Sequence, residues 1–119
     1  MSSILALTDT ETTRLVDPCV PGEIISAAVI LVDMMTLEEV SDDPNISRGL
    51  WYMHPRYITQ ADPKALEING YTPEKWDARG TVTHFVMIDR FLSLINGAVF
   101  FAQNVCFDRY FYNIEIQRH

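Results

Sequence analysis

At 119 residues, 48% hydrophobic and 21% charged, the chain is one ordinary globular domain at most. A net charge of −7, from nine Lys and Arg against sixteen Asp and Glu, excludes a broad basic footprint for nucleic acid. Contact with phosphates would have to run through bound cations or a few well-placed side chains. No apolar run approaches the ~18 residues of a membrane span, and residues 1–7 lack the basic start and apolar stretch of a secretory signal. Cys19 and Cys106 have neither metal-like spacing nor a disulfide framework, so a reducing, cytoplasmic setting without membrane contact is expected.

Taken in chain order, residues 3–8 form a short apolar run ending at Asp9, the pattern of a buried strand with an acid at its C-terminal end. A loop with Pro18, Pro21 and Gly22 leads to a second strand over 24–33, rich in β-branched residues, with Met34 to Thr36 as its hairpin connection. Ser41 to Asn45 reads as a turn or loop cluster, and strand resumes near 49–54, ending before Pro55. Asp62-Pro63 starts a helix that Gly70 closes, and Thr72-Pro73-Glu74 starts a shorter one through Trp76 that stops near Gly80. Thr81 is expected to cap a longer helix with Val82, Phe85, Ile88, Leu92 and Ile95 on its apolar face, ended by Asn96-Gly97. The continuous apolar run 98–102 reads as a central strand. A last helix begins near Phe107, with Phe107, Phe111 and Ile114 on one face. Strand, strand, strand, helices, strand, helix implies an α/β domain: a mixed sheet with helices packed on it.

Asp9-Thr10-Glu11 sets two carboxylates on alternate positions of an extended segment, so both point to one face. Paired oxygen donors suit hard cations such as Mg²⁺ or Mn²⁺. A D-x-E triplet is also ordinary turn chemistry, and these residues alone leave both readings open. Asp108, at the start of a helix, is equally open between a ligand and an acid placed favourably on the helix dipole.

Asp9-Thr10-Glu11-Thr12-Thr13-Arg14-Leu15 resembles D-x-E-T-T-G-L, the first signature of the DnaQ-like, DEDD-type 3′-to-5′ exonucleases of the ribonuclease H-like superfamily. Glu23-Ile24-Ile25 leading into Ala27-Ala28-Val29 is similar to the family's continuation, and Ile68-Asn69-Gly70-Tyr71-Thr72 to its I-[HN]-G-I-T segment. Gln103-Asn104-Val105-Cys106-Phe107-Asp108 resembles the second signature, H-N-x-x-F-D. The blocks stand in the family's order and cover nearly the whole chain. The resemblance implies a single, partial exonuclease domain over 1–119 with a ribonuclease H-like fold. It implies that Asp9, Glu11 and Asp108 hold two Mg²⁺ or Mn²⁺ ions for phosphodiester hydrolysis at 3′ ends of single-stranded DNA or RNA. It also implies that Thr12, Thr13 and Leu15 border the terminal nucleotide and that Asn104 orients the second block. Asn69 and Tyr71 line the same pocket or serve as helix-end and turn chemistry. Phe107 reads as core rather than as a stacking platform. A polymerase or another replication or repair subunit is the implied protein partner.

The chain departs from the family pattern in three places. Arg14 replaces the usual glycine and Gln103 the usual histidine. The third signature, H-x-x-x-x-D or Y-x-x-x-D in a later helix, is not present, since the sequence given ends at His119. An incomplete form is therefore expected, lacking the last strand and C-terminal helices. It would leave an apolar edge at 98–102 that invites pairing, including a homodimer. His119 has no acid after it and is not cast as the base, His84 is expected at the edge of the core, and His54 has no evident partner. Three functions follow: a metal-dependent exonuclease domain, a non-catalytic module binding a polymerase or a nucleic-acid end, and a small α/β domain whose acids are incidental.

Overall fold

The computed structural model describes residues 3–17, 19–20 and 22–118. The two loop prolines, Pro18 and Pro21, the terminal His119, and Met1 and Ser2 lie outside these residues. Strand β1, Ile4–Thr12, pairs antiparallel with β2, Ile24–Asp33, and β2 pairs antiparallel with β3, Arg48–Tyr52. Strand β4, Val99–Ala102, runs parallel to β1, giving the order β3-β2-β1-β4. The expected mixed sheet with flanking helices is thus the architecture. No helix among the described residues is long and apolar enough to cross a membrane.

Helices fill the connections: α1 Pro44–Ser47, α2 Pro63–Asn69, α3 Pro73–Arg79, α4 His84–Ile95 and α5 Val105–Arg118. Local chemistry explains α2 and α3. Asp62 and Thr72 cap them by accepting from the Lys64 and Lys75 amides, proline fills the first turn of each, and Gly70 ends α2 at φ 73°, where a side chain would be strained.

One sheet face carries Ala6, Ala27, Val29, Leu31 and Trp51, and it buries Met87, Ile88 and Phe91 of α4 and Phe111 and Tyr112 of α5. On the opposite face Leu7, Ile30, Val99 and Phe101 stay exposed, brought together by the pairs Leu7–Ile30, Leu7–Phe101 and Leu5–Val99.

Several boundaries differ from the sequence expectation. β1 does not end at Asp9 but continues through Thr12, because the Asp9–Ala28 to Glu11–Ser26 pairs extend the ladder up to a bulge at Glu11/Thr12. The Ser41–Asn45 cluster leads into α1, capped by Asp43, and β3 ends at Tyr52. Thr83, not Thr81, caps α4. The buried face of α4 is His84, Met87, Ile88 and Phe91, while Phe85 and Leu92 are exposed. Both outcomes follow from where the chain leaves the sheet: the Val82 amide bonds the Tyr52 carbonyl, which holds residues 81–83 extended. α5 starts at Val105, and 98–102 is an edge strand rather than a central one among the described residues.

Candidate active site

β1 delivers the acids. The ladder keeps Asp9 and Glu11 on the face opposite the core, next to Ala28 and Ser26 on β2. Thr10, between them, points the other way and donates its hydroxyl hydrogen to Asp108 Oδ1 in the first turn of α5. That turn is fixed by Asn104, whose carbonyl accepts from the Asp108 amide at 3.1 Å and whose side chain accepts from the Phe107 amide at 3.3 Å. The parallel pairing of β4 with β1, Thr8 opposite Ala102, brings α5 to this end of the sheet.

Electrostatics tie the three carboxyls together. Burial first, and then the neighbouring Asp9, raise Glu11 above the ordinary carboxylate range, with Arg79 partly offsetting them. Asp108 is also raised, by burial and by Asp9, against the pull of its Thr10 hydrogen bond. The Tyr112 hydroxyl is pushed far up by burial and by Asp108 and Asp9. Asp9 thus disfavours the charged forms of Glu11 and of Asp108, a repulsion that a bound cation would relieve.

The donor set is all oxygen, which fits Mg²⁺ or Mn²⁺. The buried Thr8 Oγ1 and Tyr112 hydroxyl have no hydrogen-bond partner among the described residues. Buried polar atoms of this kind are ordinarily satisfied by ions or water. Among the described residues no three His, Cys, Asp or Glu side chains close into a finished cage. Asp9, Glu11 and Asp108 are oxygen donors of the right chemistry that do not close around one point.

Beside Glu11 lies a groove of about 210 Å³ lined by Thr10, Thr12, Arg14, Leu15, Asn69 and Phe107, with Ala65 and Ile68 of α2. Asn69 donates to the Thr12 carbonyl at 2.8 Å, so α2 is tied to the end of β1. Leu15 is 76% exposed at the rim, a free apolar contact. Thr12 and Thr13 serve the backbone: Thr12 Oγ1 donates to the Arg14 carbonyl at 2.9 Å, and Thr13 Oγ1 accepts from the Glu23 amide at 3.0 Å. Arg14 donates to the Gln60 carbonyl at 2.9 Å and pairs with Asp17 at 3.6 Å.

Tyr71 is not among the residues lining the groove. Its hydroxyl bonds His54 Nδ1 at 2.9 Å, and His54 Nε2 meets Asp77 at 2.7 Å. His54 therefore has two partners, contrary to expectation, because the α2–α3 turn folds back onto the residues after β3. His84 is buried, as expected, with Nε2 at 2.6 Å from the Ile24 carbonyl. Both Cys19 and Cys106 are exposed free thiols.

The sequence reading missed Thr10 as a partner of Asp108, Phe107 as a groove wall and Arg79 as a neighbour of Glu11. Of these only Arg79 left a sequence signal: it follows Trp76 by three residues on a helix, the spacing of a stacked pair.

Solved structures settle the architecture. Over 98% of this chain and 24% of its own, Escherichia coli exonuclease I in complex with a dT13 oligonucleotide superposes with a TM-score of 0.78 at 20% identity. The fold is that of the matching part of exonuclease I. The ExoI/SSB-Ct complex matches 99% of this chain at a TM-score of 0.79 and 20% identity, and apo exonuclease I matches 99% at 0.77 and 20% identity. At this identity the likeness is one of fold, and the chain spans about a quarter of the length of the exonuclease I chains it matches. The sequence itself matches no family model and no curated protein.

Proposed function

We propose that this chain is a metal-dependent 3′-to-5′ exonuclease domain that removes nucleotides from the 3′ ends of single-stranded DNA or RNA. The observation that carries the reading is that Asp9 neighbours both Glu11 and Asp108 beside a groove, in a sheet with the fold of the matching part of exonuclease I. Asp9, Glu11 and Asp108 would hold Mg²⁺ or Mn²⁺, which supply charge neutralisation at the phosphate and a nucleophile at neutral pH when bound. The chain's own part is positional. Thr10 orients Asp108, Asn104 fixes the turn that carries it, and Asn69 holds the Thr12 carbonyl at the groove wall. Leu15 and Phe107 offer apolar surface to a terminal base, and Thr12 and Thr13 set the backbone it would lie against. Tyr71 lies outside this wall, tied to α2 by its amide on the Leu66 carbonyl and to His54 by its hydroxyl.

A fourth carboxylate and a general base are not supplied by a third signature within residues 1–119, so in this proposal they come from outside these residues. A solved complex of exonuclease I with SSB-Ct supports, by likeness of fold, a protein partner from replication or repair. The incomplete cage favours a second reading, a non-catalytic module that binds nucleic-acid ends.

The test is release of mononucleotides from 3′-labelled single-stranded DNA and RNA with Mn²⁺ or Mg²⁺, with Asp9→Ala as control, alongside Mn²⁺ titration. Activity lost in the control supports the exonuclease. Metal and oligonucleotide binding without release supports the module. Absence of both kinds of binding overturns the site.

A further inference from the structure

We propose that Arg79 is a phosphate-binding residue for the nucleic acid at this site, a reading that rests on the proposed function and names a residue it does not use. Arg79 ends α3 and lies with its guanidinium 5.1 Å from the Tyr52 ring centroid and 5.0 Å from that of Trp76. Both rings are fixed. They meet edge to face at 5.4 Å, and Trp76 is fully buried with its Nε1–H donating to the Ile25 carbonyl at 2.8 Å. An exposed arginine normally loses side-chain freedom when it binds; here stacking has already removed part of that freedom.

Strand register sets the Tyr52 ring beneath this cation on the sheet face of the acids. Glu11 lies opposite Ser26, and Ser26 lies opposite Tyr52, so Glu11 and the ring under Arg79 share one sheet face two strands apart.

Four other arginines are committed elsewhere, Arg14 to Asp17 and the Gln60 carbonyl, while Arg90 and Arg109, like Arg79, carry no ion pair among the described residues. Arg48 is paired with Glu39, Arg56 with Glu23 and Glu115, and Arg118 with Glu115. Among the described residues no carboxylate lies within ion-pair distance of Arg79, so its five N–H donors remain available for the planar, bidentate grip that phosphate oxygens accept. In a chain of net charge −7 such a cation beside the acids offsets the repulsion that a polyphosphate backbone meets.

The competing role is structural: a cation in the last turn of α3, favourable to the helix dipole and stacked on two rings. Salt dependence separates the two. Binding of a fluorescein-labelled single-stranded dT oligonucleotide is measured by anisotropy across a salt series, with Ca²⁺ in place of Mg²⁺, for wild type, Arg79→Gln and Arg79→Lys. Arg79→Gln is expected to weaken binding roughly 5- to 10-fold at low salt and to reduce the log–log salt slope by about 0.7, the loss of one phosphate contact on a single strand. Arg79→Lys, which keeps the charge and loses the fork, is expected to keep the slope with a smaller loss of affinity. Wild-type binding with an unchanged slope and affinity in Arg79→Gln overturns the assignment and leaves the proposed function standing. A wild type that binds no oligonucleotide overturns both.

Discussion

Arg56 joins three separate parts of the chain, and its removal is the perturbation with the clearest magnitude. Its Nε donates to Glu23 at 2.7 Å, and its NH2 group donates to both Glu115 oxygens at 2.8 and 2.7 Å. Glu23 and Glu115 are 1% and 0% exposed. Removing one partner of a buried ion pair costs roughly 3–5 kcal/mol, because a charge is left without compensation. Two features lower that figure here. Arg56 is 30% exposed, and each carboxylate keeps another donor: Glu23 the Arg56 and Tyr57 amides, Glu115 the Arg118 guanidinium at 2.9 Å.

For Arg56→Met the expected loss is therefore about 2–3 kcal/mol, a fall in Tm on the order of 10 °C for a domain of this size. Thermal and urea melts followed by circular dichroism measure it. Adding Glu23→Gln and Glu115→Gln should recover most of the loss, since no buried charge then remains. A single variant within about 0.5 kcal/mol of wild type, the range of exposed pairs, would refute the claim that this network holds α5 to the sheet. The consequence for function is specific. Glu115 lies two turns after Asp108 on the buried face of α5, so a loosened helix should also weaken Mn²⁺ binding.

Three further outcomes are expected. A Cβ on Gly22 would stand 2.8 Å from the Phe111 ring and 2.9 Å from Arg14 Cγ, so Gly22→Ala should cost about 1–3 kcal/mol in urea melts; a wild-type midpoint would mean that the ring yields freely. His84 titrates below its ordinary 6.5, chiefly through burial and through Arg56, against the opposing pull of Glu115, Glu23 and the Ile24 carbonyl. The unfolded chain therefore binds the proton more readily, and stability should be full above that value and decline as pH falls below it. His84→Asn should flatten the melting temperature between pH 7.5 and 5.5, and an unchanged slope would place the titration elsewhere. Asp108→Asn removes a carboxyl whose charged form burial disfavours while leaving an oxygen to accept from Thr10. Its melting temperature at neutral pH should equal or exceed that of wild type while Mn²⁺ affinity, read by titration, is lost.

Features that adjacent residues decide were legible before the fold was known. Asp62-Pro63 and Thr72-Pro73 cap helices through amides two or three residues on, and Gly70 ends α2 by its own backbone freedom. The strand alternation of Asp9 and Glu11 and the helix-start position of Asp108 were legible for the same reason. What meets across long separations depended on the packed fold. Thr10 reaches Asp108 across 98 residues, and Arg56 reaches Glu23 and Glu115 across 33 and 59. The buried face of α4 was misjudged because Phe85 and Leu92 fit a helical stripe as well as Met87 and Phe91 do. The pull of the Tyr52 carbonyl on Val82 set where that helix begins and hence which stripe faces the sheet. Local propensity is a property of adjacent residues. Register and docking angle depend on distant ones, and those placed the acids, the groove and Arg79 at one end of the sheet.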